Sequence, residues 1–186
     1  VSVAPMVTYT SRGDEDILIR KSTSLGILQW VRQIGGIGQD LAYDVAVDND
    51  KNVFVVGIFK DTLYMGNDVL LAGSPDRVQS FVLKLSAAGT MLWVKKLESN
   101  ISVTAKCVTA GAADELLVSG TFEGNASFGV GFPGFSDGGN DIFLLKLDGT
   151  SGNPIFVRRI GGTDHEYIHQ HVRDQDNNIY LTGDFR

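Results

Sequence analysis

Residues 52–59, Asn-Val-Phe-Val-Val-Gly-Ile-Phe, recur in altered form at 115–122 and 178–185. Gly57, Gly120 and Gly183 stand 63 residues apart, and Phe59, Phe122 and Phe185 keep the same interval. A period of this length makes the chain a repeat array, in which each unit buries its apolar face against its neighbours. The same offset aligns Trp30, Trp93 and Phe156, then Val31, Val94 and Val157, then Arg32, Lys95 and Arg158. Upstream, Leu-Ile-Arg-Lys at 18–21 matches 81–84 and, after one extra residue within 149–154 is allowed for, 143–146.

The units are predicted to be built of strands. Val, Ile, Phe and Leu cluster in runs of five to seven bounded by Gly, Asn, Asp and Ser, and no segment sustains an apolar stripe of helical period. The middle unit reads as four strands, at about 105–110, 115–122, 142–147 and 154–160. Polar turns such as 48–52 and 174–178 join first strands to second, and 87–90 or 148–153 join third to fourth. A four-stranded antiparallel unit cannot bury both faces alone, and radial stacking of such units gives a β-propeller. The predicted fold is therefore all-β: a propeller of four-stranded antiparallel blades, about three repeats long, with an incomplete ring. One array spans 1–186, as a half-blade at about 1–36, blades at about 37–99 and 100–162, and a half-blade at about 163–186. Three units fall short of the roughly four to eight blades of a closed ring. The chain is thus expected to be part of a longer propeller, or to complete one with other chains, the strands at 17–34 pairing with those at 166–186. The fourth strand is expected to form the outer edge of each blade, where Arg32, Lys95 and Arg158 would blunt unwanted pairing.

Charge and cysteine usage narrow the function classes. A net charge of −6 and a pI near 4.9 repel phosphate backbones, which argues against nucleic acid as a partner. No apolar run approaches the roughly 18 residues of a membrane helix. The single cysteine, Cys107, excludes an internal disulfide and a Cys-based zinc site. Its counterparts are Asp44 and Gln170, so it reads as a tolerated substitution. The first ten residues carry neither an initiating Met nor a basic-then-apolar leader, as in a processed product or an excerpt.

Phe-Val-Leu-Lys-Leu at 81–85, Met-Leu-Trp-Val-Lys-Lys-Leu at 91–97, Ile-Gly-Gly at 34–36 and 160–162, Val-Ala-Val-Asp at 45–48 and Asn-Val-Phe-Val-Val-Gly at 52–57 occur in fixed order. With them the chain resembles the SBBP family of β-propeller repeats over nearly its whole length. The resemblance implies a mainly bacterial, secreted or surface-associated protein and assigns no activity. The middle copy departs from the pattern, with Leu97-Glu98-Ser99 in place of the Gly-Gly turn and 111–115 in place of the acidic hairpin.

Two groups have residue types suited to metals. Asp48, Asp50 and Asn52, with Asp174, Asp176 and Asn178, have the alternating oxygen spacing that opens a calcium loop, but lack its sixth-position glycine and twelfth-position glutamate. They read as turn residues. His165, His169 and His171 fall together beside Asp164 and Glu166, and on a regular strand His169 and His171 share a face, as two zinc ligands would. Their counterparts Tyr43, Val45, Lys106 and Val108 make drift at a blade-contact strand the simpler reading. Trp30, Trp93 and Phe156 are expected to pack blade on blade rather than to bind sugars, and Lys21, Lys84 and Lys146 to sit at exposed or rim positions. Asn100 and Asn125 head glycosylation sequons. No catalytic residue, metal or cofactor is nominated, and the ligand-binding residues are left unspecified.

The expectation is a non-enzymatic extracellular or cell-surface propeller module that binds protein or glycan or serves as a structural segment. Its partners would be the remaining blades of the same polypeptide or other copies of the chain. The alternatives are a polysaccharide-acting enzyme built around His165, Glu166 and His169, and a ring or filament subunit joined through its half-blades.

Overall fold

The computed structural model describes residues 8–111 and 114–186. The first seven residues of the expected N-terminal half-blade, and Ala112 and Ala113 of the 111–115 turn, lie outside the described residues. The strands, in chain order, are β1 (Ile17–Ser22), β2 (Leu28–Gly35), β3 (Leu41–Val47), β4 (Val53–Phe59), β5 (Thr62–Met65), β6 (Asp68–Ala72), β7 (Gln79–Leu85) and β8 (Met91–Ser99). They continue as β9 (Ser102–Ala110), β10 (Glu115–Glu123), β11 (Asn125–Ser127), β12 (Pro133–Phe135), β13 (Asp141–Asp148), β14 (Pro154–Ile160), β15 (Tyr167–Arg173) and β16 (Ile179–Asp184). All are β, and neighbours within each sheet run antiparallel.

Two complete blades run β3-β4-β7-β8 and β9-β10-β13-β14, flanked by the outer half β1-β2 and the inner half β15-β16. No closed ring forms among the described residues. The central strands β4 and β7 are buried along their whole length; β4 accordingly reads as an unbroken apolar run, whereas β7 buries Gln79, Ser80 and Lys84 among its apolar residues. The blades stack through two apolar clusters. One centres on Phe59, Phe81, Leu63 and Ile34, and the other on Phe54, Phe122, Phe128 and Phe143. Phe122 meets Phe128 edge-on at 5.4 Å.

The fourth strand is not a uniformly bare outer edge. Hairpin β5-β6 reaches back to the preceding blade, pairing Met65 and Tyr64 with Ile34 and Gly35 of β2. Hairpin β11-β12 does the same to β8 through Ala126 and Ser127. The outward sheet orders are therefore β1-β2-β5-β6 and β3-β4-β7-β8-β11-β12, and among the described residues no hairpin covers β14.

The repeated glycine has a local cause. The first strand of every unit carries a bulge opposite the second strand, skipping Tyr43, Lys106 and His169 at the same place in the repeat. There the first strand swings its backbone onto its partner. A Cβ on Gly57, Gly120 or Gly183 would overlap the carbonyl oxygen of Leu41, Thr104 or Tyr167 respectively. Only glycine admits that approach.

Candidate functional site: the blade boundaries and the open blade

Every complete boundary between blades is closed by one set of donors. Lys21 Nζ and Trp30 Nε1 both donate to the carbonyl oxygen of Ala87, at 2.8 and 3.0 Å, and Arg32 Nε and Nη2 donate to those of Gly89 and Ala88, at 2.6 and 3.3 Å. At the next boundary, Lys84 Nζ and Trp93 Nε1 both donate to the carbonyl oxygen of Gly149, at 2.9 and 3.1 Å, and Lys95 Nζ to Asn153 Oδ1 at 3.3 Å. Third and fourth strands thus hold the turn between the third and fourth strands of the following blade. The indoles lie against the turn glycines Gly89 and Gly152, where a side chain would strike Trp30 or Trp93. The tryptophans pack blade on blade, as the repeat implied.

Two expectations are corrected here. Lys84 is not at an exposed rim: its side chain is 7% exposed, as is that of Asp48, 3.7 Å away, and its ammonium lies 5.0 Å from the centre of the Phe54 ring. Lys21 and Lys146 are half-buried. Arg32 and Lys95 bridge to the next blade rather than merely charging an edge.

A cavity of about 620 Å³ lies between β1 and β3, lined by Leu18, Trp30, Tyr43, Val45, Val47 and Val55 among others. Leu18 is 48% exposed, whereas its counterparts Phe81 and Phe143 are wholly buried beneath an inner pair of strands. At the other end of the array Tyr180 is 56% exposed, whereas its counterparts Phe54 and Leu117 are buried.

The histidines do not converge. The bulge at His169 breaks the alternation of β15, so His169 stays exposed, 2.8 Å from Asp184, while His171 is buried. His171 Nδ1 bonds Ser119 Oγ at 2.5 Å and Nε2 bonds Thr109 Oγ1 at 3.0 Å, across the boundary with β9 and β10. The shared-face reading fails for that reason. His165 Nδ1 accepts the Asn140 N–H at 3.1 Å, and its ring stacks on Tyr167 at 6.0 Å. Burial, and then the charge of Arg173, push the His171 imidazole down to about 4. The Cys107 thiol is buried within the same seam, and burial pushes it up.

The turn carboxylates are occupied as turn carboxylates. Asp48 accepts the Asn52 N–H at 2.7 Å and its Nδ2–H at 2.8 Å. Asp174 accepts the same two donors of Asn178, each at 2.8 Å, and the hydroxyl of Tyr180. Lys51 and Asn177, at φ of 65° and 64°, complete the reversals. Among the described residues, no group of three or more His, Cys, Asp or Glu is arranged to hold a metal ion.

The Gly-Gly turns carry a pattern missed in the sequence. Asp40 and Glu166, four residues beyond the second glycine's position in each unit's turn, accept the N–H of Gly36 (2.6 Å) and Gly162 (2.9 Å), while Asp16 and Asp141 lie against Gly35 and Gly161. Asp40 and Asp141 are fully buried, and each keeps one oxygen without a partner. Burial, with Asp16 and Asp61 nearby, pushes the Asp40 carboxyl up to about 6. Burial, with Glu166 beside it, raises Asp141 as well. The recurrence of an acid two residues before the aligned Leu18 and Phe143, and of another four residues after Gly-Gly, was the available signal.

Residues 29–57, which run from β2 into β4, match the SBBP family of beta-propeller repeats. An uncharacterized WD repeat-containing protein of Acanthamoeba polyphaga mimivirus is 29% identical over 126 residues, a match covering 62% of this chain and 9% of that protein. The chain therefore spans under a tenth of that relative's length. No helix among the described residues is long and apolar enough to cross a membrane. With an all-β array of antiparallel four-stranded blades and no closed ring among the described residues, the fold is that of an incomplete β-propeller, of which residues 29–57 match an SBBP-type repeat.

Proposed function

We propose that the chain is a non-enzymatic, protein-binding propeller module that acts outside the cell or at its surface and takes an extended protein segment into its open blade. The carrying observation is the edge of β1, unpaired on that side among the described residues, beside an apolar cavity of about 620 Å³. Such an edge supplies main-chain hydrogen bonds, and the cavity receives alternate side chains. The extracellular setting is supported by the resemblance to secreted repeat proteins. Protein rather than glycan is favoured because Trp30 and Trp93 are engaged in packing against blade turns.

Trp30 lines the cavity and reports on it. In a Trp93→Phe chain its fluorescence is followed against a hairpin peptide of residues 41–59 and against the chain's own concentration. A saturable response to either is expected. A signal flat against both overturns the reading.

A further inference from the structure

The two Gly-Gly turns hold carboxyl oxygens that the blade boundaries leave unanswered. Asp141, at the head of β13, is fully buried. Its Oδ2 accepts the Asp137 N–H at 3.0 Å and faces Arg159 Nε of β14 at 3.5 Å, while its Oδ1 is buried without a partner. Glu166, just before β15, is buried too, and its Oε2 accepts the Gly162 N–H at 2.9 Å. A Cβ on Gly161 would overlap Asp141 Oδ1 and would lie 2.8 Å from Glu166 Oε2, so the two carboxyls meet over the same glycine.

The arrangement recurs with the repeat. Asp16 is the counterpart of Asp141, and Asp40 of Glu166. Asp16 Oδ2 accepts the Arg12 N–H at 3.2 Å and the Gln33 side-chain amide at 2.7 Å, the positions taken by Asp137 and Arg159 at the other turn. Its Oδ1 is again unpartnered and would collide with a Cβ on Gly35, and Asp40, which holds the Gly36 N–H, keeps its own Oδ1 unpartnered. In the middle unit the two acid positions are Gln79 and Val103, neither of which titrates, and Glu98-Ser99 stands in place of Gly-Gly. Both acids and both glycines are therefore present together in two units and absent together in the third.

Two ionised carboxylates are acceptors only, so neither can satisfy the other, and burial and mutual repulsion both oppose the second charge. A single proton turns one oxygen into a donor and answers Asp141 Oδ1 with no further group. The neighbouring charges leave that need in place. Arg159 engages Oδ2 and is shared with Asp137, and Asp184 and Arg186 line the cavity beside Glu166. At the other turn Arg12 and Arg32 line a cavity with Asp16, and Asp61 adds negative charge beside Asp40. Burial, with Glu166 hydrogen-bonded to it, raises the Asp141 carboxyl against the pull of Arg159. Among the described residues, no third His, Cys, Asp or Glu joins either pair to hold a metal ion.

We infer that Asp141 and Glu166 hold one proton between them, and Asp16 and Asp40 another, so that each Gly-Gly turn is a clasp, closed in weak acid and loosened as pH rises. Each clasp fastens the start of one unit's first strand, β15 or β3, to the head of the preceding third strand, β13 or β1. The folded chain keeps this proton where the unfolded chain has lost it, so the clasp contributes fully below about pH 4 and fades as pH climbs through the folded value. The link from β7 to β9 has no such pair and is indifferent to pH at this place.

Carboxyl-carbon NMR of the full chain, labelled at Asp and Glu, reads the pair directly. Asp141 is expected to release its proton at least about one pH unit above the ordinary carboxylate value of about 4, with the Glu166 resonance moving in the same step. Glu166→Gln supplies a permanent donor to Asp141 Oδ1 while its oxygen keeps the Gly162 N–H, and Asp141 is then expected to titrate at or below the ordinary value. Between about pH 5 and 8, hydrogen-exchange protection of β15, corrected for the intrinsic rate, is expected to fall on the order of tenfold further in the unsubstituted chain than in Glu166→Gln. His171 lies on the same strand in both chains and drops out of the difference. Independent titrations near about 4, or equal exchange profiles in the two chains, overturn the inference. Displacement of the Asp141 resonance by added calcium also overturns it, since the pair would then seat a cation. The titration of the unsubstituted chain depends on no variant folding and decides alone if Glu166→Gln does not fold.

Discussion

Trp93 donates its indole N–H to the carbonyl oxygen of Gly149, 3.1 Å away in the following blade, as Trp30 does to Ala87. The ring and the bond make separable contributions. Trp93→Phe keeps the packing and removes the bond, and is expected to cost about 1 kcal/mol. Trp93→Ala also opens a cavity against Gly152 and Phe54, and is expected to cost about 3–5 kcal/mol. Urea denaturation of the two variants measures the difference. Equal losses would mean that the ring contributes nothing beyond its N–H.

Lys84 and Asp48 form a buried pair, so removing either alone strands the other. Lys84→Met is expected to destabilise by about 3–5 kcal/mol, and the double substitution Lys84→Met with Asp48→Asn to recover part of that loss. A double-mutant cycle in urea checks it. Additive losses would show that the pair is not coupled.

Gly120→Ala sets a methyl group on the Thr104 carbonyl oxygen and against the Phe143 ring. A loss of about 1–3 kcal/mol or more is expected. Gly162→Ala meets only the end of the Glu166 side chain, at 3.6 Å, and is expected to stay within about 0.5 kcal/mol. Thermal unfolding of the pair distinguishes a glycine required by the bulge from one that is replaceable.

Asp40 and His171 oppose each other in their dependence on pH. The Asp40 carboxyl rises from 3.8 to about 6 on folding, so the folded chain holds its proton longer, and its contribution falls as pH rises from about 4 to 6. His171 drops from 6.5 to about 4, so the unfolded chain holds the proton, and its contribution falls as pH drops from about 6.5 to 4. Between about pH 4 and 6 the two slopes, each at most about 1.4 kcal/mol per pH unit, nearly cancel. Asp40→Asn is expected to make stability rise more steeply with pH across that window, and His171→Gln to make it fall. Urea midpoints at half-unit pH steps read both slopes. A pair of variants with parallel profiles would refute the opposition.

The architecture was legible because period and strand pattern are properties of many residues at once. The 63-residue offset located β1, β2, β15 and β16 as halves of blades before any coordinate was known. Hairpins β5-β6 and β11-β12 escaped because their short strands add to the preceding blade through only two residue pairs each, too few to leave a pattern. The repeated lysines were visible, but their direction was not. The acceptors of Lys21 and Lys84 are backbone carbonyls, and a carbonyl has no residue type. His169 and His171 were assigned to one face by assuming a regular strand, although a glycine recurring inside the opposite strand is itself the mark of a bulge.

The lysine and tryptophan donors of the first two boundaries sit on the earlier blade, and the turn carbonyls that accept from them on the later one. The array therefore has a sense, like a course of roof tiles in which each one pins the edge of the next. The last overlap is of a different kind. Where β15-β16 meets its neighbour, a histidine between two hydroxyls replaces the lysine and tryptophan. That tile lifts first: protection from hydrogen exchange should be lowest in the final hairpin and deepest in β4 and β7, leaving the arm free to move while the blades behind it stay seated.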